Sequence, residues 1–163
     1  MKQTRLDVLK QGLVCGSLGY LAVSLYYAVV NVVAGRSPFD TVAAIGQAMF
    51  QPANATAAII AYNGVHLVIL LLLGLLAAWL VYRVELQPAV WHAVLFALIA
   101  LFLFASSAVA FVAGRYAQVG PAIILPGNLL AALAIGGYLG WSHPGLEHRI
   151  ELLSDTETME VPA

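Results

Sequence analysis

Residues 61–83 read AYNGVHLVILLLLGLLAAWLVYR. This stretch decides the fold. From Val65 to Val81 only His66 and Trp79 carry a polar side-chain atom. A run of about 20 mostly apolar residues is what a helix needs to cross a bilayer. The same stretch poses the functional question, because Asn63 and His66 stand near the start of a segment otherwise suited to lipid.

Working outward, the rest of the chain follows the same pattern. Its 163 residues are 62% hydrophobic and 9% charged, with a mean hydropathy of +0.91. A soluble domain is about half apolar and about a quarter charged. Four spans are predicted, at roughly 12–34, 57–82, 89–113 and 119–141. None contains Asp, Glu, Lys or Arg. The expectation is an all-α integral membrane protein, a four-transmembrane-helix bundle forming a single membrane domain over residues 1–163. The basic opening MKQTRLDVLK resembles the start of a signal peptide, but the apolar run behind it is too long for one. It reads as an uncleaved first span.

Basic residues set the expected orientation. Lys2, Arg5, Lys10, Arg83 and Arg149 lie on one side, and Arg36 and Arg115 on the other. Both termini are therefore expected in the cytoplasm. Trp79, Trp91 and Trp141 all fall at that same interface, as an aromatic belt would place them. The low lysine content and rich Ala, Gly, Val and Leu usage point to a bacterial inner membrane.

The first exterior loop carries Ser37-Pro38 and Asp40, then Phe39, Val42, Ala43, Gly46, Met49 and Phe50 at helical spacing. That predicts a short amphipathic interfacial helix over about 38–50, capped by Ser37. The apolar stripe lies on the membrane surface or docks on a partner subunit. Asn54 is read as the cap of span two. The connection between spans two and three is short, which predicts a tight antiparallel hairpin. The tail, residues 142–163, is acidic, with Leu146, Ile150 and Leu153 able to form one short amphipathic turn. The four letters Val33-Ala34-Gly35-Arg36 recur as Val112-Ala113-Gly114-Arg115, which raises an internal duplication.

Helices in lipid approach through small residues, since there is no hydrophobic drive between them. Gly12, Gly16 and Gly19 supply such a stripe in span one, Gly74 with Ala77 and Ala78 in span two, and Gly136 and Gly140 in span four. Span three has Ala93, Ala97, Ala100 and Ser107. Cys15, the single cysteine, reads as a small packing residue.

Asn63 and His66 are three apart and share a helix face. By helix rise they lie roughly 9 and 13 Å below the outer end of span two. Asn128 falls at about the depth of His66, preceded by Pro126-Gly127, where a bend is expected. Ser106 and Ser107 approach that level from span three, and Tyr26, Tyr27 and Asn31 from span one. The candidate polar pocket is thus Asn63, His66, Ser107, Asn128, Tyr27 and Asn31. It serves either as interhelical hydrogen bonding or as a site for a quinone head group, a lipid or an ion.

Other chemistries lack their residues. His66 lies in the outer half and His92 at the inner interface, so they cannot share a haem within one chain. No His, Cys, Asp or Glu cluster has metal-ligand spacing, no carboxylate pair is available for acid–base work, and no phosphate-binding glycine motif is present. His143 and His148 belong to the cytoplasmic end and are expected to be solvated. The net charge of −1 gives no handle for nucleic acid. The reading is a non-catalytic accessory subunit of a larger bacterial membrane complex, such as an electron-transfer assembly. Its expected partners are membrane lipids and other membrane subunits, with no cofactor of its own. The alternative is a stand-alone binding or transport protein built on the pocket around His66.

Overall fold

The structure is a computed structural model describing residues 5–117 and 119–145. Its elements are α1 (Arg5–Val33), α2 (Asp40–Phe50), α3 (Ala55–Leu86), α4 (Trp91–Val112) and α5 (Pro121–Ser142), with a 3₁₀ turn at Pro88–Val90 and a π turn at Ala113–Ala117. No strand occurs among the described residues. α1, α3, α4 extended into the π turn, and α5 are each long and apolar enough to cross a membrane. The four predicted spans are therefore present, and α1 and α3 run beyond the predicted limits. The acidic tail from residue 146 onward lies outside the described residues.

α1 is the centre of the bundle. Its buried stripe is Val8, Gly12, Cys15, Gly16, Gly19, Val23, Tyr27 and Asn31, which follows the three- and four-residue spacing of one helix face. α3 and α5 pack antiparallel along it. The α1–α3 seam is backbone against backbone. A methyl added at Gly74 would meet the Gly16 nitrogen at 2.6 Å, and one added at Gly12 would meet the Leu75 Cα at 2.7 Å. Cys15 is fully buried beside this crossing, its thiol 3.4 Å from the Gly12 carbonyl oxygen and 3.5 Å from that of Gly74. Gly19 faces Ile135 and Ala131 of α5, and Gly127 faces Val23 and Tyr26 of α1.

Not every small-residue stripe is used. An added methyl at Gly136 or Gly140 would meet nothing within 4 Å. The buried side of α5 runs through Ile124, Gly127, Ala131 and Leu139, and these two glycines sit one residue further on, about 100° round the helix. α4 is the loosely held element. Of its most apolar 18-residue stretch 6% is buried, against 28% for α1, and Ser106 is its single buried residue. Ala93, Ala97, Ala100 and Ser107 are exposed. The expected close packing on all four spans is thus found on α1, α3 and the inner face of α5, and not on α4.

α2 crosses the far end of the bundle, opposite the end where α1 begins. It starts at Asp40 rather than Pro38. Pro38 and Phe39 form a turn instead, in which Ser37 accepts from the Phe39 and Asp40 amides at 3.4 and 3.0 Å. Thr41, Val42, Ile45 and Gly46 are buried, with Gly46 against the backbone of Ala58 on α3. Asn54 caps α3, its side chain accepting from the Ala57 amide at 2.9 Å. α5 runs without interruption through Pro126.

The repeated Val-Ala-Gly-Arg letters fold in two ways. After α1, Gly35 takes φ +70° and the Arg36 and Gly35 amides donate to the carbonyls of Asn31 and Val32, each at 2.9 Å. That is a Schellman cap. After α4, Ala113–Ala117 form the π turn and the Val119 amide donates to the Ala113 carbonyl at 3.1 Å. The local backbones share no common geometry.

Candidate functional site

Two polar clusters form at opposite ends of the bundle. At the near end His143 is buried, against the expectation of a solvated residue. Its Nδ1 lies 2.7 Å from Glu85 Oε1 and its Nε2 lies 3.2 Å from Gln11 Oε1. Both ring nitrogens are thus within hydrogen-bond distance of a side-chain partner. This clasp ties together α1, the last turn of α3 and the end of α5. α3 continues past the predicted span to Leu86, and that extra turn brings Glu85 to His143.

The far half holds the residues flagged from the sequence, and the structure distributes them. Asn63 lies on α3, donating to the Ile59 carbonyl at 2.8 Å and accepting from the Tyr20 hydroxyl at 2.9 Å. His66 lies one turn along. Its ring stacks on Tyr62, with centroids 5.2 Å apart at 26°, and faces Tyr20 at 6.2 Å. Asn31 is fully buried but serves a different purpose. It accepts from the Thr41 hydroxyl at 2.9 Å and donates to the Pro38 carbonyl at 3.2 Å. This fixes the turn that delivers α2. Tyr27 lies in the core among Val23, Val42 and Ile45. Ser107 points outward on α4 while Ser106 is buried. Asn128 is half-buried on α5, and none of these hydrogen bonds includes it.

Only Asn63 and His66 therefore meet as a pair, and their neighbours are Tyr20 and Tyr62 rather than Asn128 or Ser107. Two sequence signals were available for those tyrosines. Tyr62 precedes His66 by four residues and so shares its face. Tyr20 lies about 20 Å from the far end of α1, and His66 about 16 Å from the far end of α3, so an antiparallel pair brings them to one level.

Among the described residues three buried side-chain polar atoms have no hydrogen-bond partner: His66 Nε2, Tyr62 Oη and Tyr27 Oη. Each such atom costs on the order of 1–3 kcal/mol relative to a satisfied one. Native interiors leave few of them, and each calls for an explanation. Two of the three, those of His66 and Tyr62, belong to residues lining one cleft. The cleft lies between α2, α3 and α4, has a volume of about 180 Å³, and is walled by Ile45 and Met49, by Val65 and Ile69, and by Val109 and Val112. It is open on one side rather than enclosed. No Asp, Glu, Lys or Arg side chain lines it. Among the described residues no group of three His, Cys, Asp or Glu side chains is placed to hold a metal ion.

No protein-family model, curated protein or solved structure matches this chain. The site's chemistry is therefore argued from its own residues.

Proposed function

We propose that this chain is a non-catalytic membrane protein that binds a small lipid-soluble molecule in the cleft between α2, α3 and α4. One observation carries the reading. His66, an ionisable residue within a membrane-spanning helix, lines a mostly apolar cleft, and its Nε2 is buried without a partner in the protein. Ionisable groups in spans mark functional sites by default. An apolar cavity with a few polar atoms is the usual form of a small-molecule site. The expected orientation has both termini in the cytoplasm of a bacterial inner membrane, with α2 at the outer surface and the cleft in the outer half of the bilayer.

The test is purification of the tagged chain in mild detergent, followed by extraction and mass analysis of small molecules retained by the wild type and by His66→Ala. Retention of a stoichiometric lipid-soluble compound by the wild type, lost in a variant of unchanged thermal stability, supports the reading. If His66→Ala lowers stability and no bound compound is found, His66 acts only between helices.

A second reading is favoured by a different observation. The Gly136–Gly140 groove on α5 stands open, and small-residue grooves are where membrane helices meet. On this reading the chain is an accessory subunit of a larger membrane complex. Co-purification of other membrane proteins in fixed ratio, abolished by Gly136→Leu with Gly140→Leu, supports it. A chain that purifies alone excludes it.

A further inference from the structure

We propose that the α2/α3/α4 cleft takes a single uncharged six-membered ring bearing a carbonyl oxygen and an isoprenoid-type tail, the build of a lipid-soluble quinone. This rests on the binding reading above and names the chemical class that the cleft fits.

Size sets the first limit. The cleft holds about 180 Å³, and an apolar cavity of about 150 Å³ takes one benzene ring. There is room for one ring with small substituents and none for a fused system. Charge sets the second. With no Asp, Glu, Lys or Arg in the lining and His66 as its one ionisable side chain besides the Tyr62 phenol, an ionic head group would lose its water for at most a single imidazole. That removes phosphate and carboxylate heads. The absence of a metal-binding group among the described residues removes a bound cation as the natural occupant.

The polar atoms set the third limit. His66 and Tyr62 both line the cleft, their rings stacked on one another, and aromatic edges in an apolar wall suit a flat ring. Their Nε2 and hydroxyl are buried and have no partner within the protein. A hydroxyl always has a proton to donate, and a neutral imidazole has one N–H. A purely hydrocarbon occupant would leave both atoms unsatisfied. A carbonyl oxygen on the ring satisfies one of them or both.

The entrance agrees with a tail. The cleft is open on one side, and its outer wall is α4, the least buried of the long helices. Met49 stands at the rim, 47% exposed, and its unbranched thioether adapts to what passes it. A tail leaving the cleft meets the exposed apolar faces of α3 and α4, the surface on which lipid chains lie.

The experiment uses the full chain in lipid nanodiscs and two probes. One is a benzoquinone with a two-isoprene tail, and the other is the two-isoprene alcohol without the ring. The quinone is expected to bind at least tenfold more tightly than the alcohol. Its carbonyl stretch is expected at lower wavenumber when bound than when free in lipid. His66→Leu with Tyr62→Phe should remove that shift and weaken binding tenfold or more. Val109→Trp, which fills the cleft from α4 and keeps both polar residues, should abolish binding while the chain stays folded. Equal affinity for the two probes, both lost in Val109→Trp, overturns the ring assignment and leaves the cleft as a site for apolar chains. Quinone binding that survives Val109→Trp places the ring elsewhere and overturns the inference. Binding of neither probe overturns both the inference and the reading on which it rests.

Discussion

α3 meets the two membrane-spanning helices α1 and α4 in different ways. Toward α1 it offers Gly74, Ala77 and Ala78, and the helices touch backbone to backbone with Cys15 sealed between them. Toward α4 it offers Val65, His66 and Ile69, and a cleft of about 180 Å³ remains. Both seams are built from an apolar helix of the same composition class. What separates them is side-chain size at the crossing point. Glycines let dispersion contacts form along the whole seam, and in lipid such contacts are a main source of helix association. Branched and aromatic side chains hold α4 at a distance, and a gap between packed walls loses those contacts. One seam is built for stability, and the other leaves space.

The largest expected effect breaks the tight seam. Gly74→Leu puts a side chain into the backbone of Gly12 and Gly16, with no flexible group able to yield. Overpacking a well-packed site costs about 1–3 kcal/mol, and more when backbone must move. Thermal unfolding in detergent should show the largest loss in the set, at or above the top of that range. Gly64→Leu, on the same helix where an added methyl meets nothing within 4 Å, should unfold near the wild-type temperature. Equal losses from both would dissolve the distinction between the seams.

Next comes the link that brings α2 over the loose seam. Asn31→Ala leaves the Thr41 hydroxyl without its acceptor and the Pro38 carbonyl without its donor, in a fully buried place. A loss of about 1–3 kcal/mol is expected. Because α2 supplies Ile45 and Met49 to the cleft, the variant should also lose ligand retention. Thr41→Val should lose less, since its partner Asn31 keeps the bond to Pro38. A variant that unfolds earlier but retains ligand fully would show that α2 does not shape the cleft.

Tyr20→Phe sits between the two seams. It removes the hydrogen bond from α1 to Asn63 and keeps the ring that faces His66. Interhelical hydrogen bonds in membranes average about 0.6 kcal/mol. A double-mutant cycle with Asn63→Ala should return a coupling energy of that order. A coupling near zero would reduce the contact to coincidence of packing.

Much of this was legible in the letters, and the failures have causes. Long runs without charge declared the four spans, because a bilayer tolerates little else. Gly12, Gly16 and Gly74 declared the tight seam, since small residues at one depth on adjacent helices have few other uses. Gly136 and Gly140 looked the same in sequence, but the face α5 turns inward is set by Ile124, Ala131 and Leu139. Helix rotation cannot be read from one stripe when an apolar helix offers several. The pocket was legible as far as Asn63 and His66. Asn31 was misplaced because depth was counted along a straight span, whereas the chain turns back there and gives that side chain to α2. His143 was misjudged because α3 continues for a turn beyond its apolar run, and its extra residue Glu85 supplies the partner.

The smallest stability change should come from His66→Leu, and that is why it is informative. Leucine is close in size to the imidazole and brings no buried polar atom. Removing an unpartnered polar atom and keeping the volume is close to neutral or mildly stabilising. If His66 were glue between helices, its loss would cost what a hydrogen bond contributes, about 0.6 kcal/mol or more. The structure gives Nε2 no such bond to lose. The expected result is therefore an unchanged or slightly higher unfolding temperature together with lost ligand retention. A residue that lowers stability by its presence and is needed for binding is serving the site rather than the fold. A clear drop in unfolding temperature with retention unchanged would assign His66 to the packing of α1 against α3, and the two seams would then differ in tightness alone.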